Sequence, residues 1–159
     1  MSETAAAPII RFGRGREERA QQAWRTYFET SQRLRQVLDD RLKEQAGLSV
    51  SDYNALLLLW EAPERTLTMG ALAKRLVFSP SRLNYRIKVL EDAGLVEKLA
   101  CAEDRRSHNI RLTEAGGRRF LDAARLHSRA IAEVFLSHVD DAELEVIETV
   151  FSRIAKDLP

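Results

Sequence analysis

Apolar or small residues return at steps of three and four through Trp24, Tyr27, Ser31, Leu34, Leu38 and Leu42. That spacing predicts a helix from Ala20 with one apolar stripe and a charged back. Gly47 ends it, because glycine takes the left-handed turn that closes a helix without steric cost. A shorter helix follows, capped by Ser49 or Ser51. Its run Leu56 to Leu59 predicts burial on most sides, and Ala62-Pro63 stops it, since the residue before a proline is pushed out of helical geometry. Thr68 caps a third helix over MGALAKRLVF, with Leu72, Ala73 and Leu76 on one side. Ser79-Pro80 then opens a fourth: serine at the cap satisfies one orphan amide, and proline at the first helical position needs no partner. This helix runs to Ala93 and is closed by Gly94. Leu83, Ile87 and Leu90 form its buried stripe, which spreads Ser81, Arg82, Asn84, Tyr85, Arg86 and Lys88 over the other faces.

Beyond Gly94 the period changes to two. LVEKLA and NIRLT alternate on either side of the polar stretch CAEDRRSH, which predicts two short antiparallel strands joined by a basic loop. Thr113 caps a long helix with an apolar seam at Phe120, Ala124, His127, Ile131 and Val134. Asp140 and Glu143 form a capping box for a last helix that carries Leu144, Ile147, Phe151, Ile154 and Leu158. Such narrow seams suit helix partners, and a second copy of the chain is the economical one. The expected fold is mainly α with a small β-hairpin wing: a winged helix-turn-helix flanked by N- and C-terminal dimerisation helices. Residues 1–19, without periodicity, read as a mobile arm. Residues 20–47 read as the N-terminal dimerisation helix, 48–113 as the DNA-binding region and 114–159 as the C-terminal dimerisation helices.

Charge sharpens this picture. The net value of +1 hides an uneven distribution: residues 66–112 hold nine Lys or Arg against five Asp or Glu, and residues 113–159 hold six against nine. A basic middle segment beside an acidic assembly element suits a nucleic-acid partner. A major groove about 12 Å wide admits one helix, whose polar side chains reach base edges while arginines pair with phosphates. A hairpin with arginines at its tip suits the adjacent minor groove, where narrow walls concentrate negative potential.

The segment LVFSPSRLNYRIKVLEDAGLVEKLACAEDRRSHNIRLTEAG also resembles the core of the MarR family of regulators. In that family a recognition helix ends in Leu-Glu-x-x-Gly-Leu-Val, and the wing reads Asp-x-Arg ahead of Leu-Thr-x-x-Gly. The matching residues here run from Leu90 to Val96, from Asp104 through Arg105 to Arg106, and from Leu112 to Gly116. The resemblance is carried by residues 48–116; the flanking helices match in length and position more than in motif. It implies a triangular homodimer with interlocked terminal helices and wing tips in the minor groove, with Asp104 pairing with its arginine neighbours to hold the wing. It further implies a small aromatic or phenolic effector bound near Trp24, Tyr27, Phe28, Tyr53 and Trp60. Many relatives carry Arg or Thr-Arg where this chain has Asn84-Tyr85, a departure that bears on which bases are read. The resulting expectation is a homodimeric repressor relieved by an effector, which contacts a pseudo-palindromic duplex through Ser79, Ser81, Arg82, Asn84, Tyr85 and Arg86 of the recognition helix and Asp104, Arg105 and Arg106 of the wing.

Other readings stand beside it. Three basic residues on one helix are ordinarily a solvated face, and aromatics on the first two helices are ordinarily core. The single cysteine, Cys101, cannot form a disulfide within the chain. It reads either as a spectator or as the thiol of a redox-sensing regulator. His127 and His138, eleven apart near one face of a continuous helix, read as interface histidines before metal ligands. An effector-independent or architectural DNA-binding protein of the same fold is a further alternative. No nucleophile with a base, metal motif or phosphate loop is visible, so no enzyme activity and no cofactor are expected. Pro and charges in MSETAAAPIIRFGRGREERA, and the absence of any long apolar run, give the expectation of a cytoplasmic protein without membrane association.

Overall fold

The computed structural model describes residues 14–100 and 108–158, and the chain divides into two compact units, Met1–Gln36 and Val37–Pro159. Among the described residues the elements are, in order, α1 (Arg14–Ala46), α2 (Val50–Glu61), β1 (Thr66–Thr68), α3 (Met69–Leu76), α4 (Pro80–Asp92), β2 (Val96–Ala100), β3 (His108–Leu112), α5 (Glu114–Val134) and α6 (Asp141–Asp157). Single 3-10 turns lie at Pro63–Arg65 and Leu136–His138. None of these helices is long and apolar enough to cross a membrane.

In the first unit, α1 starts six residues ahead of the expected Ala20, inside the stretch read as an arm. The sequence RGREER has no apolar residue to mark a period. It consists mostly of good helix formers, and Glu17 in the first turn suits the positive end of the helix dipole. Trp24, Tyr27 and Phe28 form an exposed aromatic group, with the Trp24 ring 5.8 Å from Tyr27 and 5.9 Å from Phe28.

In the second unit each helix start is written in its cap. Ser49 Oγ accepts the Asp52 N–H at 3.1 Å and the Asp52 carboxylate accepts the Ser49 N–H at 3.1 Å, which makes Ser49 the cap of α2. Thr68, Ser79 and Thr113 accept from Ala71, Arg82 and Gly116, and Asp140 closes a capping box with Glu143. Caps of this kind stabilise by about 1 kcal/mol each. Helix α3 stops at Leu76, two residues before the expected Phe78. Val77 turns left-handed there at φ 53°, ψ 44°, an uncommon place for a β-branched residue. The Phe78 N–H bonds to the Ala73 carbonyl at 3.0 Å and closes the turn into α4.

The expected hairpin is present, as β2 and β3 paired from Val96↔Leu112 to Ala100↔His108. A third strand joins it: β1 pairs with β3 from Thr66↔Arg111 to Thr68↔Asn109, giving the order β1-β3-β2. Three residues are too short to show alternation, so the pattern concealed β1. Leu42, Leu56, Leu59, Leu72, Leu83, Ile87, Leu90 and Ile110 are fully buried, so the end of α1, α2, α3, α4 and the sheet share one core with Phe120 and Ala123 of α5. Gly116 lets the start of α5 approach the strand base: a Cβ there would lie 2.0 Å from the Leu95 carbonyl oxygen. Helix α5 ends at Val134 and the chain turns before His138, so His127 and His138 do not share the continuous helix on which their pairing was read. Helix α6 has no buried residue, and Val146, Phe151, Ile154 and Leu158 are exposed.

Candidate nucleic-acid interface

Helix α4 is anchored by the buried row Leu83, Ile87 and Leu90, which fixes what its other faces present. Ser81, Arg82, Asn84, Tyr85 and Lys88 are all exposed, Tyr85 at 65%. At its start Ser79 Oγ lies 3.3 Å from Ser81 Oγ, and the positive end of the helix dipole favours an anion there. The Arg82 guanidinium lies over the Phe78 ring at 4.3 Å, which braces the long side chain. Exposed Asn84 and Tyr85 give this face an amide and an aromatic ring able to meet base edges.

Arg86 differs from its neighbours. It is only partly exposed, its Nη1 lies 3.4 Å from Oδ2 of the buried Asp52 on α2, and its guanidinium lies 5.8 Å from the Tyr85 ring centre. Sequence reasoning missed Asp52. The Ser49-x-x-Asp52 spacing announces a cap, but nothing local announces a cation from a helix more than thirty residues further on. Phe78 as the support of Arg82 was also missed, because it lies outside α4 and no helical spacing links the two.

The wing strands are positioned by the ladder and by side-chain pairs, Arg111 Nε to Glu97 Oε1 at 2.7 Å and Lys98 Nζ to Glu91 Oε2 at 3.4 Å. Cys101, Asp104, Arg105 and Arg106 lie outside the described residues.

Behind the interface, Tyr53 and Trp60 on α2 meet α5. Tyr53 lies 5.7 Å from Phe120 and 4.6 Å from His127, and Trp60 lies 5.4 Å from Phe120. Burial pushes the His127 imidazole below its ordinary pKa, and its Nδ1 is buried with no hydrogen-bond partner among the described residues. Burial, with Glu61 adding to it, pushes the Tyr53 phenol up. The Arg65 guanidinium lies 4.2 Å from the centre of the Trp60 ring. Among the described residues no three His, Cys, Asp or Glu gather as a metal site.

A helix pair whose second member is capped, exposed and cationic, followed by a hairpin, defines a winged helix-turn-helix DNA-binding protein. The MarR family model matches residues 46–107, and the crystal structure of AbsC, a MarR family transcriptional regulator of Streptomyces coelicolor, shares 31% identity over 86% of this chain and 92% of its own, with a TM-score of 0.80. The chain belongs to the MarR family of DNA-binding transcriptional regulators. It is 30% identical to the exopolysaccharide II synthesis transcriptional activator ExpG of Rhizobium meliloti over 81% of this chain and 68% of that one. It is 36% identical to the organic hydroperoxide resistance transcriptional regulator of Bacillus subtilis over 47% of this chain, a match that spans 50% of that regulator's length. Sco3205 of Streptomyces coelicolor, solved in complex with DNA, shares 29% identity over 87% of each chain with a TM-score of 0.83. CouR of Rhodococcus jostii RHA1, solved with p-coumaroyl-CoA, shares 25% identity over 80% of this chain and 87% of its own, with a TM-score of 0.68.

Proposed function

We propose that the protein acts as a homodimeric repressor at a pseudo-palindromic duplex site, reading each half-site with α4 and gripping its flank with the wing. The observation that carries this reading is the exposed face of α4, where Arg82, Asn84 and Tyr85 stand out from a helix locked by three buried residues. Ser79 and Ser81 contact phosphate at the helix start, Asn84 reads a base edge, Tyr85 meets a phosphate or a thymine methyl, and Arg82 and Arg86 pair with phosphate or base. Minor-groove contact is assigned to Asp104, Arg105 and Arg106 on the family resemblance alone. The likeness to Sco3205, solved with DNA, supports this.

Dimerisation is supported by α6, which leaves Val146, Phe151 and Ile154 exposed and buries no residue fully. Relief by a small aromatic or phenolic effector is supported by the likeness to CouR, which binds p-coumaroyl-CoA. Tyr53 and Trp60, which meet α5 within the second unit, are the aromatic contacts we assign to it. The likeness to ExpG, an activator, favours activation as a second reading of the regulatory sign.

Selection of duplexes from a randomised pool tests the proposal. The expected product has dyad symmetry, with half-site centres about 34–36 Å apart, and its binding weakens steeply with salt. Selected duplexes without symmetry refute the dimeric reading. Placement of the site over a promoter supports repression, and placement upstream supports activation.

A further inference from the structure

The carboxylate of Asp52 does more than a helix cap requires. Its Oδ2 accepts the Ser49 N–H at 3.1 Å and the Ser49 hydroxyl at 2.5 Å, and a cap of that kind needs an acceptor, not a charge. Yet Asp52 is 6% exposed, and its Oδ1 is buried with no hydrogen-bond partner among the described residues. A buried carboxylate is expensive without a cation. The cation is Arg86, which reaches Oδ2 with Nη1 alone, at 3.4 Å.

Arg86 lies one helical turn beyond Arg82 on the same flank of α4. Both arginines are therefore braced: Arg82 on the Phe78 ring, Arg86 on a carboxylate of the neighbouring helix. An arginine that is free in solution loses its rotamer freedom when it grips a phosphate, whereas one already held loses less.

We propose that Asp52 is a positioning residue for DNA recognition, holding the Arg86 guanidinium by one nitrogen so that its remaining donors are presented to a DNA phosphate. The proposal rests on α4 as the DNA-reading helix and extends the interface to a residue that never touches DNA. An opposing effect exists, since removing a negative charge favours a polyanion. That charge is buried behind Arg86 and neutralised by it, so loss of the brace dominates.

The test uses the full chain and a duplex selected by the parent protein from a randomised pool, with affinity measured by fluorescence anisotropy across a salt series. Asp52→Asn keeps the size and the acceptor and removes the charge. It is expected to bind about tenfold more weakly. Arg86→Ala is expected to weaken binding at least as much and to lower the salt slope by about one. In the Arg86→Ala background, Asp52→Asn is expected to have no further effect on affinity, although it still lowers the melting temperature. That separates positioning from plain destabilisation. Asp52→Glu, which keeps the charge, is expected to restore most of the affinity. If Asp52→Asn does not fold, Asp52→Gln carries the same comparison with the capping box retained. Affinity equal to or above that of the parent in the charge-removed variant overturns the proposal, as do losses that multiply in the double variant. A parent that selects no duplex refutes the reading of α4 itself. A parent that binds, matched by a variant without the charge, refutes only the role of Asp52.

Discussion

Replacing Gly116 with alanine inverts the usual outcome of such a change. In a helix, glycine to alanine ordinarily stabilises by up to about 1 kcal/mol, through the smaller entropy of the unfolded chain. At Gly116 the added Cβ would lie 2.0 Å from the Leu95 carbonyl oxygen, 2.9 Å from the Leu95 carbonyl carbon and 2.8 Å from Leu112 Cδ1. Two of those three atoms are backbone, so relief requires α5 to move away from the strand base. That same Leu95 oxygen accepts the Thr113 N–H at 3.1 Å, and the Thr113 hydroxyl donates to the Gly94 carbonyl at 2.7 Å, so the shift strains the cap as well. Overpacking costs about 1–3 kcal/mol and a lost hydrogen bond about 1 kcal/mol, which against an entropic gain of up to about 1 kcal/mol leaves a net loss of about 1–3 kcal/mol. For a chain of this size that lowers the melting temperature by about 2–12 °C. Circular dichroism melts at matched protein concentration measure it, because any self-association makes the midpoint concentration-dependent. Gly70→Ala in α3 is the control: the nearest atom to its Cβ is Thr68 Oγ1 at 4.0 Å, and it is expected to melt at or above the parent temperature. A Gly116→Ala protein as stable as the parent would refute the close approach of α5 to the wing base.

Arg82→Ala is expected to weaken duplex binding by about 1–3 kcal/mol while moving the melting temperature little, because its side chain is exposed and stacks on Phe78 at the surface; unchanged affinity in anisotropy titrations counts against the assigned surface. Ile154→Asp places a charge on the exposed apolar face of α6 and is expected to convert dimer to monomer in sedimentation, whereas an unchanged mass argues that another surface pairs the chains. His127 is held neutral by burial, so its contribution to stability is present above about pH 6.5 and is lost as pH falls through its depressed pKa. The parent is therefore expected to lose melting temperature between pH 7 and pH 5, and His127→Phe to show a flatter profile; identical profiles remove His127 from the account.

Helices α2 to α6 were legible because each of their starts carries its own cap, and Ser49, Thr68, Ser79, Thr113 and Asp140 all accept where local chemistry dictates. The exposed face of α4 followed from the spacing of Leu83, Ile87 and Leu90 alone. What remained hidden was non-local or brief. Strand β1 exists only because β3 lies beside it, and the left-handed Val77 overrides a residue preference that carries no warning in the sequence. The break after Val134 was masked by apolar residues that continue the helical period through Phe135 and Leu136. The Asp52–Arg86 pair joins two helices far apart in sequence, and composition gives no sign of it.

The claim that α4 reads bases is tested most directly by comparing the duplexes selected by the parent with those selected by Asn84→Ala. Asn84 is exposed on α4, and its side-chain amide can pair with an adenine through two hydrogen bonds. The account predicts that Asn84→Ala still selects a dyad-symmetric site with the same half-site spacing, but with preference lost at one position in each half-site, mirrored across the dyad. A consensus identical to the parent's at every position would contradict it.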